Sequence, residues 1–308
     1  MSLRDARSHS PLPRRSLLFV LVLLLALTSA FPAAGQQADG QQADLDEDPP
    51  VPAEEPPPGK PGAAARVWKA VREEARRYGT DSVALLRAPL HWQKNDWEKA
   101  GGAVLIVGGL MLADRSIDNA AQRERSHFTD RVAGATTALG GQYGVHASTA
   151  LLGLGLIFNH ENMRDTGREA LEAGLFAHVL TSYVLKYAFG RERPYESNGR
   201  TVFVPGSSHD SFPSGHATEA FAVASVVAAR SKGWPIAALA YTAATIVAID
   251  RVNNRVHFTS DVVAGAFIGT AMGRFLVKRH NDEKAGVLSK ADLEVVPIRR
   301  GLAARLRF

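Results

Sequence analysis

Between Lys186 and Asp261, three short blocks set among apolar, helical stretches hold three cations, two histidines and one carboxylate in a set order. Lys186 and Arg193-Pro194 come first, with six residues between the two cations. Pro213-Ser214-Gly215-His216 follows, and then Arg251, His257 and Asp261, with five and three residues between them. An ionisable group in an apolar helix must be paired or solvated. A fold that buries these segments against one another must therefore bring the charged groups to a common partner. With cations in excess and a Ser-Gly pair among them, that partner is an oxyanion.

The flanking sequence sets the fold class. From Arg66 onward apolar stretches run near 100–113, 132–158, 170–188, 214–229, 234–249 and 260–277. They are rich in Ala, Gly and Leu and lack the two-residue alternation of strands. Asn95 with Glu98, and Thr166 with Glu169, read as capping boxes that open helices. Gly108-Gly109, Gly153 and Gly155 lower helix propensity but allow helices to approach closely. The expectation is an all-α bundle of about six core helices, with a catalytic domain over 66–285. The tail, 286–308, alternates in part around Val295–Ile298 and Leu302–Phe308, and we expect a frayed terminus there rather than a strand.

The amino-terminal region reads differently. Arg4, Arg7, Arg14 and Arg15 precede the apolar run 17–30 and then small residues, the pattern of a secretory signal peptide over 1–35. Residues 36–65 repeat QQAD and are dominated by Pro, Glu and Gly, the composition of a disordered linker. Residues 1–35 carry +3 and residues 36–60 carry −6, so a total of +5 leaves +8 for residues 61–308. A basic body suits anionic partners: phosphate esters or anionic lipid surfaces. With no nucleic-acid module or aromatic-interleaved basic stripe, nucleic acid is not expected as a partner. The chain has no cysteine, which removes disulfides, thiolate nucleophiles and Cys-based metal sites.

The three blocks, in this order and at these spacings, resemble the motifs of the type 2 phosphatidic acid phosphatase superfamily, which also contains bacterial acid phosphatases and vanadium haloperoxidases. That resemblance implies a metal-independent phosphatase acting on phosphomonoesters or lipid phosphates. It assigns His257 as nucleophile, forming a phosphohistidine, and His216 as general acid and then base. Asp261 orients His257, and Lys186, Arg193, Ser214, Gly215 and Arg251 bind phosphate. An imidazole unperturbed near 6.5 suits both acid and base roles, and a helix start after Ser214 suits an anion. On a helix His257 and Asp261 would share a face, so the carboxylate can hold the imidazole. Pro194 would stop the preceding helix at Arg193. No metal and no cofactor is expected; vanadate enters only under the alternative of a vanadate-dependent haloperoxidase. A second alternative is a non-catalytic envelope protein on the same scaffold. The family usually has Ser where this chain has Asp250, and we expect that carboxylate to pair with a cation such as Arg255.

All motif residues fall at one end of the helical runs, and Arg230, Lys232, Arg274, Lys278 and Arg279 at the other. Several runs are only about 14–17 residues, short of the ~20 that span a bilayer, and mean hydropathy is −0.09. The expectation is an exported bundle in the periplasm or cell envelope, seated on a membrane surface. Trp92 and Trp97 then belong either to the bilayer interface or to the core. His209 and Asp210 read as solvated loop, and His91, His127, His146, His160 and His178 as structural or surface residues.

Overall fold

The computed structural model describes residues 63–127, 131, 143–197, 201–289, 292–298 and 301–307. The expected signal peptide, and the expected linker up to residue 62, lie outside them; residues 63–65, expected as the end of that linker, are helical. In order come α1 (Ala63–Arg87), a 3-10 turn (Ala88–His91), α2 (Lys94–Arg123), α3 (Tyr143–Ile157) and α4 (Glu161–Val179). A π-helical stretch (Leu180–Leu185) leads from α4 into α5 (Lys186–Phe189); then follow α6 (Gly215–Arg230), α7 (Trp234–Asn253) and α8 (Thr259–Ser289). The expected all-α bundle is therefore present, and α2, α3, α4–α5, α6, α7 and α8 are its six core helices. Beyond it, β1 (Asp292–Ile298) and β2 (Gly301–Arg307) pair antiparallel, with Asp292 opposite Arg307. The partial alternation in the tail thus marks strands rather than a frayed end.

Two expected helix starts move. α2 begins at Lys94 because the Gln93 N–H donates to the Asp96 carboxylate at 3.1 Å, a capping return two residues upstream of the Asn95–Glu98 pair. α4 begins at Glu161, where the His160 ring accepts from the Met163 N–H at 3.3 Å. Thr166 and Glu169 lie inside that helix. Thr166 Oγ1 turns back to the Asn162 carbonyl at 2.6 Å, the usual recourse of a mid-helix threonine.

The core is built from small residues. Ala170, Ala173 and Ala177 of α4 meet Ala222, Val223 and Val226 of α6 and Met272, Leu276 and Val277 of α8. α8 lies against α6 along Gly265, Gly269 and Gly273, one face of the helix at four-residue spacing. A Cβ on Gly269 would stand 2.1 Å from the Thr218 carbonyl, and one on Gly265 2.7 Å from that of Ser214. Backbone contact of this kind is open only to glycine. Gly155 makes a similar contact, 2.3 Å from the Arg164 nitrogen, whereas Gly108 and Gly109 face open space and pack nothing.

Among the described residues, three helices are long and apolar enough to cross a membrane: Lys94–Arg123, Trp234–Asn253 and Thr259–Gly286. The first two bury little of that surface. Leu105 and Leu112 on α2 and Leu239 on α7 are largely exposed. The continuous helices are thus longer than the 14–17-residue runs suggested. Trp92 and Trp97 are exposed as well, stacked edge to face at 4.9 Å, so neither is in the core.

Candidate active site

The bundle has two charged ends. At one, the start of α4 meets the end of α6 (Asn162 to the Arg230 carbonyl, 3.5 Å), and the late part of α8 joins them (Arg230 to Asn281, 2.9 Å). At the other lie α5, the start of α6, the end of α7 and the start of α8, and this end collects every motif residue.

The first motif is shaped by a π stretch and a glycine. The π stretch delays the helix by a residue just before Lys186, which re-aims the following turn. The helix then stops at Phe189, because Gly190 takes a left-handed conformation with φ 54° and a Cβ there would strike the Val204 carbonyl at 1.9 Å. Pro194 is therefore not the stop. Residues 190–192 run antiparallel to 202–204, through Val204 N–H to Gly190 and Glu192 N–H to Val202. This places Arg193 beside Lys186, and both bind Asp210. Arg193 grips that carboxylate with Nε and Nη2 at 2.6 and 2.7 Å, and Lys186 Nζ reaches it at 3.3 Å.

The second motif opens α6. The Ser214 N–H donates to the Asp261 carbonyl at 3.0 Å and ties this helix start to that of α8. Ser214 Oγ is fully buried and has no hydrogen-bond partner among the described residues. His216 stands in the first turn. Burial pushes its imidazolium down to about 3, reinforced by nearby Arg251, His257, Lys186 and Arg193. The ring is therefore neutral at pH 7.

The third motif departs from expectation in its contacts. His257 precedes α8, so the helical-face argument does not apply. Its Nδ1 is 3.8 Å from Asp261, beyond a hydrogen bond, and instead lies 2.7 Å from the Ser211 carbonyl. A carbonyl only accepts, so Nδ1 carries the proton and Nε2 presents a lone pair. Asp261 acts one step back. It accepts from Ser211 Oγ at 2.6 Å, from the Phe258 N–H at 2.8 Å and from Arg191 Nη1 at 2.5 Å. Burial lowers the His257 pKa against the opposing pull of Asp261.

Arg191, Ser211, Asp114 and Ser260 are absent from the sequence reading. Arg191 is wholly buried, lies 4.2 Å from the centre of the Phe258 ring, and binds Asp114 Oδ2 at 2.7 Å and Ser260 Oγ at 2.7 Å. Asp114 comes from α2, so a helix outside the motifs anchors the site. The only cue was position: Arg191 and Ser211 sit two residues before motif residues.

Asp250 points away from the expected partner. Arg255 pairs with Asp118 at 2.8 and 3.2 Å, whereas Asp250 accepts from Arg251 Nε at 2.7 Å and from Asn254 Nδ2 at 2.8 Å. Two residues expected to be unremarkable also have partners. His178 Nδ1 is 2.6 Å from Glu219, and His209 lies 3.6 and 3.7 Å from Glu192 and Glu196. At the opposite end Asp81, Glu172 and His280 offer three potential metal ligands within 4.8 Å of one another. Arg77 Nη2 already stands among them, 3.0 Å from Glu172 and 3.0 and 3.2 Å from the two His280 nitrogens, so the cation they share is a guanidinium.

The profile of the PAP2 superfamily matches residues 170–285. A lipid A 1-phosphatase of Porphyromonas gingivalis is 37% identical over 92 residues, which is 29% of this chain but only 18% of that protein. Among solved structures, LpxE of Aquifex aeolicus aligns over 53% of this chain and 93% of its own, with 24% identity and a TM-score of 0.40. The transmembrane PAP2-type phosphatidylglycerolphosphate phosphatase of Bacillus subtilis aligns over 59% and 95%, with 27% identity and a TM-score of 0.45. Residues 170–285, and with them all three motifs, belong to the PAP2 superfamily.

Proposed function

We propose that the protein is a membrane-associated phosphatase that hydrolyses lipid phosphate monoesters without a metal, through a phosphohistidine. The observation that carries the mechanism is the bond from His257 Nδ1 to the Ser211 carbonyl, which leaves Nε2 as the lone-pair nitrogen, in the field of Lys186 and Arg193. In the first step Nε2 attacks phosphorus and the bond from phosphorus to the alcohol oxygen breaks. That oxygen takes the proton of His216. In the second step neutral His216 removes a proton from water, the hydroxide attacks phosphorus, and the P–N bond breaks to release phosphate and neutral His257. Because His216 is neutral at pH 7, the charge of the bound phosphate supplies the pull that protonates it. Ser214 Oγ, buried and without a partner among the described residues, donates to a phosphate oxygen together with the backbone N–H groups that open α6.

A lipid substrate is supported by the apolar faces that α2 and α7 turn outward and by the match to a lipid A 1-phosphatase. Trp92, Trp97 and Trp234 are exposed at the end remote from the site, as interfacial anchors are. The test is the full chain in detergent, with EDTA present, assayed on soluble phosphate esters and on phosphatidate. Release of phosphate from the lipid, blocked by orthovanadate, is the expected result. Loss of activity in EDTA with recovery on adding a divalent metal would overturn the mechanism.

A further inference from the structure

The loop residue Asp210 has no part in the three motifs, yet it touches two of their cations. Its Oδ1 and Oδ2 take the Nε and Nη2 edge of Arg193 at 2.6 and 2.7 Å, and Oδ2 also takes Lys186 at 3.3 Å. Two readings follow from that geometry. The carboxylate either occupies the phosphate's place and must leave, or holds the two cations while they bind phosphate through other donors. Three observations decide between them.

The first is donor arithmetic. A guanidinium has five N–H groups and an ammonium three. Asp210 uses one edge of Arg193 and a single donor of Lys186, so the Nη1 side of the guanidinium and two ammonium donors remain for a ligand. The second is tethering. The next residue, Ser211, is pinned by its N–H to the Arg191 carbonyl at 2.9 Å, by Oγ to Asp261 at 2.6 Å and by its carbonyl to His257 at 2.7 Å. Asp210 cannot swing out far without pulling the nucleophile's own support. The third is charge. Burial alone would raise the Asp210 carboxyl, but Arg193 and Lys186 more than offset it and hold the group well below the usual carboxylate range. It is therefore ionised at pH 7.

Resting on the phosphatase reading, we infer that Asp210 is the positioning residue for Lys186 and Arg193. The dipeptide Asp210-Ser211 then couples the two sides of the site. One residue holds the cations from the first motif, and the next fixes the tautomer of the histidine from the third. A long flexible lysine and arginine lose rotamer freedom when they bind an anion, and a fixed carboxylate has removed that freedom beforehand.

The experiment is orthovanadate titration by calorimetry on the detergent-solubilised full chain, with phosphatidate kinetics in parallel, for wild type, Asp210→Asn and Asp210→Ala. Positioning predicts that both variants bind orthovanadate about 10-fold or more weakly. The Michaelis constant should rise more than kcat falls, and the effect of Asp210→Ala should largely vanish when Arg193 is already Ala. Unchanged or tighter vanadate binding, with a lower Michaelis constant, would overturn the inference in favour of a displaced occupant. Failure of both variants to fold would overturn it too, by assigning Asp210 to the fold. Wild type that binds vanadate but hydrolyses no ester would sink the phosphatase reading and leave the affinity comparison standing. Wild type that binds no vanadate would sink both.

Discussion

The two ends of the bundle use the same kinds of residue to opposite effect. At the remote end Asp81 is held by Arg279 at 2.5 Å and by His280 at 3.0 Å, Glu169 by Arg230 at 2.6 Å and His280 at 3.2 Å, and Glu172 by Arg77 at 3.0 Å. Each acid there faces a cation, and the network ties α1, α4, α6 and α8 together. At the site end the cations also have carboxylates: Asp210 for Lys186 and Arg193, Asp250 for Arg251. Buried oxygens without a hydrogen-bond partner among the described residues occur at both ends, the two of Glu172 at the remote end and Ser214 Oγ at the site end. The histidines separate the ends: His280 has a carboxylate at each ring nitrogen, whereas His257 is held by a carbonyl at Nδ1 with Nε2 turned away from that support. Residue type alone does not distinguish the two.

His257→Ala tests the open end and carries the largest expected effect. Turnover should fall by ~10⁴-fold or more, about 5.5 kcal/mol of barrier, with the melting temperature nearly unchanged. Wild type quenched in acid after labelled substrate should yield an acid-labile phosphoprotein that the variant lacks. The pH profile adds a sign. Burial lowers the pKa of His257, so its neutral, attacking form persists to lower pH than a free imidazole's. The acid limb of kcat/KM should therefore lie below about 6.5. Near-normal turnover in the variant would remove the nucleophile role.

Arg191→Ala asks whether the site end has architecture of its own. The guanidinium is buried against Asp114, Asp261 and Ser260, and removing one partner of a buried pair costs about 3–5 kcal/mol. Both stability and kcat should drop, because Asp261 and with it Ser211 lose their anchor. A variant that melts early but turns over normally when folded would separate the anchor from the chemistry.

Arg77→Ala is the matching test at the remote end. Burial pushes the Glu172 carboxyl up to about 8, so without Arg77 it is buried as a neutral acid, and a loss of about 1–3 kcal/mol is expected for the partner removed. kcat/KM per folded molecule should stay within about twofold, within the range of an uninvolved site. A large kinetic effect would mean that the two ends are coupled and that the contrast drawn between them is wrong.

How much of this was legible beforehand follows from which residues carry a local signal. The six charged motif groups, Ser214 and Gly215 were readable because their order and spacing are local, and the structure brings all of them to one end. The helical class was readable from apolar periodicity. Arg191, Ser211 and Asp114 were not, since a buried arginine looks in sequence like any exposed one and its partners lie 77 and 70 residues away. The bond that fixes the His257 tautomer comes from a backbone carbonyl, which every residue has. The glycines that matter, Gly265, Gly269 and Gly273, lay unmarked in a run already taken as helix, whereas Gly108-Gly109 drew notice as a doublet and faces open space.

The smallest effect belongs to Asp250→Ser, where the chain departs from its family. The partner is Arg251 rather than Arg255, so the substitution no longer removes a pair remote from the phosphate. It takes one partner from a guanidinium proposed to bind phosphate. Ser is too short to bond Arg251 and Asn254 together as Asp250 does at 2.7 and 2.8 Å. A looser Arg251 should raise the Michaelis constant several-fold, about 1 kcal/mol at tenfold per 1.4 kcal/mol, with kcat little changed. Two opposing terms meet here, because losing an anion near the phosphate also relieves repulsion. At an effective dielectric near 20, two charges about 8 Å apart interact by roughly 2 kcal/mol before screening. The carboxylate's charge is already matched by the guanidinium it binds, however, so the phosphate sees a neutral pair and little repulsion remains to be relieved. A several-fold fall in the Michaelis constant would show that Asp250 faces the phosphate after all. It would then be a carboxylate that the site end keeps at its own substrate's expense, as the remote end never does.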